Sequence, residues 1–311
     1  MANNQPSVFI DGEAGTTGLG IRQRLEMVPE IGLRSLPAAR RKDPSARQDM
    51  MAACDLAVLC LPDDAAREAV ALAGALGSGA PKLLDASTAH RVDPEWTYGF
   101  PERAPDQPAQ IAVSRKVANP GCYPTGAIGL LRPLVQAGLV PPDYPITISA
   151  VSGYSGGGRS MIEAHDRESG PAFELYALGL EHKHVPEIQH FAGLSRRPIF
   201  LPSVGHFHQG MLVSIPLYLD DLPGRPSGAD LREILCSFYE GSEYVAVAVA
   251  NGPGKLEPEA LKGTNRLELY VWENEAHRQA VLVARLDNLG KGASGAAVQN
   301  LRLMLDLDPG A

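Results

Sequence analysis

The first twenty-five residues constrain this chain more than any other stretch. Val8-Phe9-Ile10-Asp11 reads as a short strand, Gly12-Glu13-Ala14-Gly15-Thr16-Thr17-Gly18 follows at once, and Leu19-Gly20-Ile21-Arg22-Gln23-Arg24-Leu25 reads as a helix. Strand, glycine turn and helix in that order open a dinucleotide-binding βαβ unit. The glycines let the backbone approach a pyrophosphate. That anion then sits at the helix N-terminus, where unpaired N–H groups and the helix dipole favour it.

The βα rhythm continues downstream. Residues 33–36 form a second candidate strand, and an NAD-selective fold would place Asp or Glu near its end to bond the ribose 2′-hydroxyl. This chain has Arg40, Arg41 and Lys42 there instead, cations that would attract a 2′-phosphate, so NADP is the expected cofactor. Residues 55–62 are a continuous apolar run of the kind buried on both faces of a parallel sheet. A helix follows from Asp63 to about Leu76, its acids suiting the first turn. Residues 82–87 read as the next strand, 101–110 as a loop and 111–113 as a short strand.

After Cys122 the pattern changes. Residues 146–151, 210–218, 244–249, 266–272 and 281–286 all read as strands, and strands following strands indicate a mixed or antiparallel sheet. Residues 290–295 are a glycine loop before a last helix. The expected fold is therefore α/β: a Rossmann-type nucleotide domain plus an α+β substrate domain. The nucleotide domain takes residues 1–121 and is completed by 288–311, with residues 122–287 forming the catalytic domain.

A length of 311 residues suffices for two domains. The net charge of −8 argues against nucleic acid and anionic membrane surfaces as partners, though not against a small anionic substrate. Cys54, Cys60, Cys122 and Cys236 are scattered, with no paired or metal-ligand spacing, which suits a reducing cytoplasm. Cys54 and Cys60, beside or inside the strand at 55–62, read as structural. The N-terminus has no basic and apolar leader, and no apolar run approaches the length of about 18 residues needed to span a membrane.

The chemistry concentrates in the second half. Asn119-Pro120-Gly121-Cys122-Tyr123-Pro124-Thr125 puts a cysteine where a loop turns into an apolar helix, and a helix N-terminus favours the thiolate and an adjacent oxyanion. Ser152-Gly153-Tyr154-Ser155-Gly156-Gly157-Gly158-Arg159 reads as a flexible polar loop ending in a cation able to grip a carboxylate or phosphate. In His182-Lys183-His184-Val185-Pro186-Glu187, His184 suits acid/base work with Glu187 fixing its tautomer, and Pro186 suits the start of a helix. The two histidines and the carboxylate lack a third ligand at metal spacing, so no metal is expected. His206 and His208 form a further pair that fits a substrate wall or a plain loop. A thiolate, a histidine, an anion-binding arginine and a nicotinamide cofactor together suit reduction of an activated acyl group through a thioester.

These motifs resemble the N-acetyl-gamma-glutamyl-phosphate reductase family in its shorter variety and, more distantly, aspartate-semialdehyde dehydrogenases. The resemblance rests on Gly12-x-Ala14-Gly15-x-x-Gly18, the cysteine motif, Ser152 to Arg159, His182 to Glu187, and Gly290 to Asn300. It implies Cys122 as nucleophile and His184 as acid/base, with Tyr176, His182 and Glu187 beside it. It implies that Gly12, Ala14, Gly15, Thr16, Thr17 and Gly18 bind the NADP pyrophosphate, and that Gly292, Gly295 and Asn300 lie near the nicotinamide. The implied substrate is N-acetylglutamyl 5-phosphate, reduced to its semialdehyde in arginine biosynthesis by a homo-oligomer, dimeric or tetrameric. The longer members tend to carry an arginine where this chain has His208-Gln209, which leaves Arg159 and Arg115 as candidates for the substrate anion. The alternatives are a reductase of an aspartyl or carrier-linked acyl group, a silent NADP-sensing regulator, and a cysteine hydrolase that would leave the glycine loop idle.

Overall fold

The computed structural model describes residues 5–168, 170–249 and 254–307. Residues 1–4, at the head of the segment read above for a leader, and 308–311, at the end of the expected C-terminal segment, lie outside the described residues. The chain divides into two compact units, Met1–Pro120 with Ala293–Ala311, and Gly121–Gly292.

In the first unit β1 (Ser7–Asp11) leads to α1 (Thr16–Leu25), β2 (Gly32–Arg34), α2 (Pro44–Ala52), β3 (Leu56–Leu59) and α3 (Asp63–Gly74). Then come β4 (Lys82–Asp85), β5 (Thr97–Tyr98), α4 (Gln107–Val113) and β6 (Lys116–Ala118). The sheet order is β2-β1-β3-β4-β6-β5 and every pairing is parallel. Alternation along the strands feeds two cores. Val8, Ile10, Leu56, Val58 and Leu84 pack on one face, and Phe9, Ala57, Leu59 and Leu83 on the other. The order reverses about β1, so the loops after β1 and β3 flank the switch point where such sheets take their ligands.

One expectation fails here. Residues 111–113, read as a strand, are the end of α4, which begins inside the stretch read as a loop. Pro108 lies in the first turn of that helix, where its missing N–H costs nothing, and Ile111 is fully buried in the core. Helix-start chemistry and one buried anchor outweigh a three-residue apolar run.

The second unit begins with α5 (Cys122–Gln136), then β7 (Thr147–Gly153), α6 (Gly158–Glu168), β8 (Phe173–Leu175), α7 (Val185–Ala192) and β9 (Ile199–Gly205). It ends with β10 (Met211–Tyr218), α8 (Gly228–Phe238), β11 (Val245–Val247), β12 (Leu267–Asn274) and β13 (Gln279–Leu286), while α9 (Gly295–Met304) belongs to the first unit. The sheet runs β11-β12-β13-β10-β7-β9-β8. It is mixed: β7–β9 and β11–β12 are parallel and the other pairs antiparallel. Along β10, Met211, Val213, Ile215 and Leu217 are buried while Pro216 and Tyr218 are exposed. α5 packs against β10, β12 and β13, with α7 and α8 beside it.

Two glycines allow that close packing. A Cβ at Gly126 would lie 2.8 Å from Val213 Cγ2, and one at Gly129 would lie 3.0 Å from Leu267 Cδ2. The stretch read as a flexible loop before Arg159 is ordered instead: Ser152 and Gly153 finish β7, Tyr154–Gly157 make a 3-10 turn and Gly158 opens α6. The strand expected over 244–249 shrinks to three residues. Among the described residues no helix is long and apolar enough to cross a membrane.

Candidate active site

Cys122 is the first residue of α5, and the preceding Gly121 is its N-cap with extended backbone and no side-chain cap. Pro124 sits in the first turn, where an N–H is dispensable. The helix is buried almost all round, so its dipole acts at the sulfur through little solvent. The Gly121 N–H donates to Glu187 Oε1 at 2.8 Å, and Glu187, in the first turn of α7, is 1% exposed. A buried carboxylate from one helix thereby fixes the entrance to the other. Thr125 Oγ1 adds a bond to Gly121 O at 2.9 Å.

The segment before α7 brings the aromatic and imidazole groups together. The His184 N–H donates to His182 Nδ1 at 3.1 Å, so neutral His182 carries its proton on Nε2. That nitrogen is 3.4 Å from the Tyr176 hydroxyl, which donates to the Tyr123 hydroxyl at 3.3 Å, and Tyr123 donates to Ser203 O at 3.0 Å. The His182 and His184 ring centroids are 4.7 Å apart, and both rings meet Tyr123 edge-on. Burial, then the neighbouring Tyr176 and Cys122, push the Tyr123 phenol far above its ordinary range. Burial pushes Tyr176 up to about 12, with Cys122 adding to the shift. Both phenols stay neutral donors at physiological pH, and both feel charge at Cys122. Between Tyr176 and His182 the chain turns through two non-glycine residues with positive φ, Ala177 at 51° and Leu180 at 61°.

A third element closes on the cysteine from the far end of the sequence. A Cβ at Gly292 would lie 2.8 Å from Cys122 Cβ, so only glycine fits there. The turn carrying Gly292 is tied by Asp287, whose carbonyl accepts from Gly290 N and Gly292 N at 3.1 and 2.9 Å. Asp287 Oδ2 accepts from Gly263 N at 2.7 Å and from Gln209 Nε2. Asn288 accepts from Gly210 N at 2.8 Å and donates to Ser155 Oγ at 3.0 Å. Three loops distant in sequence are therefore pinned by Asp287 and Asn288. Sequence reasoning missed both, along with Tyr123, because nothing local marks them.

The remaining site residues divide. Ser152 is buried, its hydroxyl 3.0 Å from Gly153 O. Arg159 is exposed and paired with Glu163 within α6. Arg115 precedes β6, at the end of the sheet opposite the glycine loop, with its guanidinium on Ala80 O. It is not brought to the ligand end. Asn300 is fully buried, and its amide donates to Gly99 O at 2.8 Å and Asn119 Oδ1 at 3.0 Å, which orients Asn119. Among the described residues no group of three or more histidines, cysteines or acids is placed to hold a metal.

In the first unit the glycine loop has the form a pyrophosphate needs. Gly12 has φ +89°, and a Cβ there would lie 2.2 Å from Cys60 O. A Cβ at Gly18 would lie 2.5 Å from Gly12 O. Gly15 caps α1 without a side chain, Ala14 and Gly15 are exposed, and Thr16 and Thr17 open the helix half-buried. Gly295 is likewise the first residue of α9. Arg40 pairs with Asp43, whereas Arg41 reaches Glu13 of the glycine loop.

Comparison with known proteins fits this arrangement. A profile described as the semialdehyde dehydrogenase NAD binding domain matches residues 40–111, and the semialdehyde dehydrogenase dimerisation domain matches 122–288. The N-acetyl-gamma-glutamyl-phosphate reductase of Burkholderia cenocepacia is 53% identical over 307 residues, covering 96% of this chain and 97% of that one. N-acetyl-gamma-glutamyl-phosphate reductase 2 of Pseudomonas putida is 54% identical over 306 residues, with the same coverage of 96% and 97%. This chain belongs to the N-acetyl-gamma-glutamyl-phosphate reductase family. The fold extends further: aspartate semialdehyde dehydrogenase II of Vibrio cholerae, solved with ASA, superposes with a TM-score of 0.70 at 16% identity, covering 97% of this chain and 99% of that one. The Francisella tularensis enzyme gives 0.73 at 13% identity, with 96% and 100% covered. At such identities the likeness concerns the fold alone.

Proposed function

We propose that this chain reduces N-acetylglutamyl 5-phosphate to N-acetylglutamate 5-semialdehyde with NADPH, releasing phosphate, in the cytoplasm and as a homo-oligomer. The observation that carries the reading is Cys122 at the bare N-terminus of α5, with Tyr123, Tyr176, His182 and His184 around it. A family kinship that spans 96% of the chain supports the substrate, and the dimerisation-domain profile supports the assembly.

The Cys122 sulfur attacks the acyl carbon, the C–S bond forms as the C–O bond to phosphate breaks, and the helix N-terminus favours both the thiolate and the oxyanion. The first-unit residues fit a dinucleotide: Gly12 and Gly18 leave room for backbone approach, and Gly15, Thr16 and Thr17 present the start of α1. A nicotinamide dinucleotide held by these residues would supply the hydride chemistry that reduction of an acyl thioester needs. His184 manages the proton as the C–S bond breaks and the aldehyde leaves, while the His182–Tyr176–Tyr123 chain holds the rings in register. Arg159 is the arginine candidate for the substrate anion, released from Glu163 at little cost because that pair is exposed.

The test runs the reaction backwards, following reduced nicotinamide by absorbance with N-acetylglutamate semialdehyde, phosphate and NADP⁺. The expected result is phosphate-dependent reduction that disappears in Cys122→Ala while NADP⁺ binding persists. Activity only with aspartate semialdehyde or a carrier-linked aldehyde would replace the substrate. Binding of NADP⁺ with no aldehyde turned over would replace the enzyme with a sensor.

A further inference from the structure

The residue after β2 is where a nucleotide-binding sheet meets the adenosine ribose, and an acid there selects NAD by bonding the 2′-hydroxyl. This chain has Ser35 at that point, and the acid comes from the glycine loop instead. Glu13 has a side chain only 7% exposed and reaches three donors at once. Oε2 accepts from Arg22 Nη1 at 2.7 Å and from Ser35 Oγ at 2.7 Å, and Oε1 pairs with Arg41 Nη2 at 2.6 Å. Arg22 Nη1 also donates to Ser35 Oγ at 2.8 Å.

Oε2 thus carries both hydrogen bonds, while buried Oε1 meets Arg41 as an ion pair and makes no hydrogen bond, so the Glu13 carboxylate is turned toward the two guanidiniums. One buried carboxylate holds two guanidiniums, and the second carboxylate on Arg22, from Glu26, is exposed and solvent-screened where a 2′-phosphate would arrive. Arg22 Nε is engaged by the exposed Glu26 and Arg41 Nε by Leu36 O. Among the described residues no hydrogen bond uses Arg22 Nη2 or Arg41 Nη1.

We propose that Glu13 is the positioning residue of the 2′-phosphate site: it aims Arg22, Ser35 and Arg41 at one point beyond β2, so that preference for NADP over NAD depends on a buried acid. The inference rests on the cofactor reading above. It extends the arginine pair expected from sequence by replacing Arg40, which serves Asp43, with Arg22 from α1.

The experiment is calorimetric titration of the full chain with NADP⁺ and with NAD⁺ at one fixed ionic strength. Glu13→Gln is expected to weaken NADP⁺ on the order of tenfold, the worth of a charged hydrogen bond, and to move NAD⁺ by less than about twofold. In an Arg22→Met, Arg41→Met background the same substitution should add almost nothing, because Glu13 acts through those side chains. Unchanged or tighter NADP⁺ binding would overturn the proposal, as would equal weakening of both cofactors or full additivity. If Glu13→Gln does not fold, Ser35→Ala reads the same cluster: it must weaken NADP⁺ selectively, and an equal effect on both cofactors contradicts the idea. Wild-type protein that fails to prefer NADP⁺ would sink the cofactor reading itself, a separate outcome.

Discussion

Glu187 shows how a single side chain sets the site. The sequence suggested its carboxylate as the partner of His184, whereas the bond the structure gives it is from the Gly121 N–H, joining positions 66 residues apart that no local pattern announces. Glu187→Ala leaves that buried N–H without its acceptor, which costs about 1–3 kcal/mol of stability. Misplacing the sulfur should also lower kcat by roughly 10–100-fold, with NADP⁺ affinity unchanged. Thermal unfolding and steady-state kinetics check both effects. The thiols offer a second test. Burial pushes Cys54 up to about 11 and Cys60 up to about 12, so both are neutral at pH 8. Iodoacetamide followed by peptide mapping at that pH should modify Cys122 and the exposed Cys236 before either. Early labelling of Cys60 would contradict this burial argument. The positions of Cys122 at the start of α5 and of His184 before α7 were readable because Asn-Pro-Gly-Cys and His-Val-Pro-Glu are contiguous in sequence. Glu13, Tyr123, Asp287 and Asn288 were not, since their roles exist only through partners the fold brings in.

At the scale of elements, α5 lies against the sheet because Gly126 and Gly129 present no side chain to it. Gly126→Val forces a branched side chain into Val213 and should destabilise by about 1–3 kcal/mol, read as a lower denaturant midpoint. The β12–β13 pair carries an ion pair in direct register, Glu268 opposite Arg285 at 2.5 Å, with Tyr270 bonding the same carboxylate. Burial raises the Glu268 carboxyl, but the Arg285 and Tyr270 bonds outweigh it, and the net result is a lowered value. A depressed acid stabilises the fold above its ordinary value of 4.5 and loses that contribution as pH falls through the folded value. Wild type should therefore lose its advantage over Glu268→Gln, about 1 kcal/mol after solvent screening, on acidification below that range. An advantage that stays constant on acidification would contradict the linkage. Five of the seven strands of this sheet were readable, most clearly β12 from its alternation, but β8 and β9 were not expected and β11 is shorter than expected. α4 and α6 were not, because residues 111–113 are too short to show a period and the glycine run before Arg159 imitates a loop.

For the whole molecule, the rhythm of strand and helix before Cys122 and of strand after strand beyond it separates the parallel sheet from the mixed one. That contrast is physical: parallel strands need crossover helices, while antiparallel neighbours do not. The return of α9 to the first unit begins at Ala293. It is carried by buried contacts such as Ala297, Leu301 and Met304 in the core shared with Val8 and Ile10, and by Lys82 reaching Met304 O at 2.5 Å. The thioester proposed on Cys122 joins these scales, because it needs the residue at the start of α5, the elements around it and the cofactor fold together. The most direct measurement is mass spectrometry of the intact and digested protein after mixing with fresh N-acetylglutamyl 5-phosphate and no reduced cofactor. The expected result is an N-acetylglutamyl group on Cys122, absent in Cys122→Ala and discharged when NADPH is added. An adduct on another residue, or phosphate released with none formed, would contradict it.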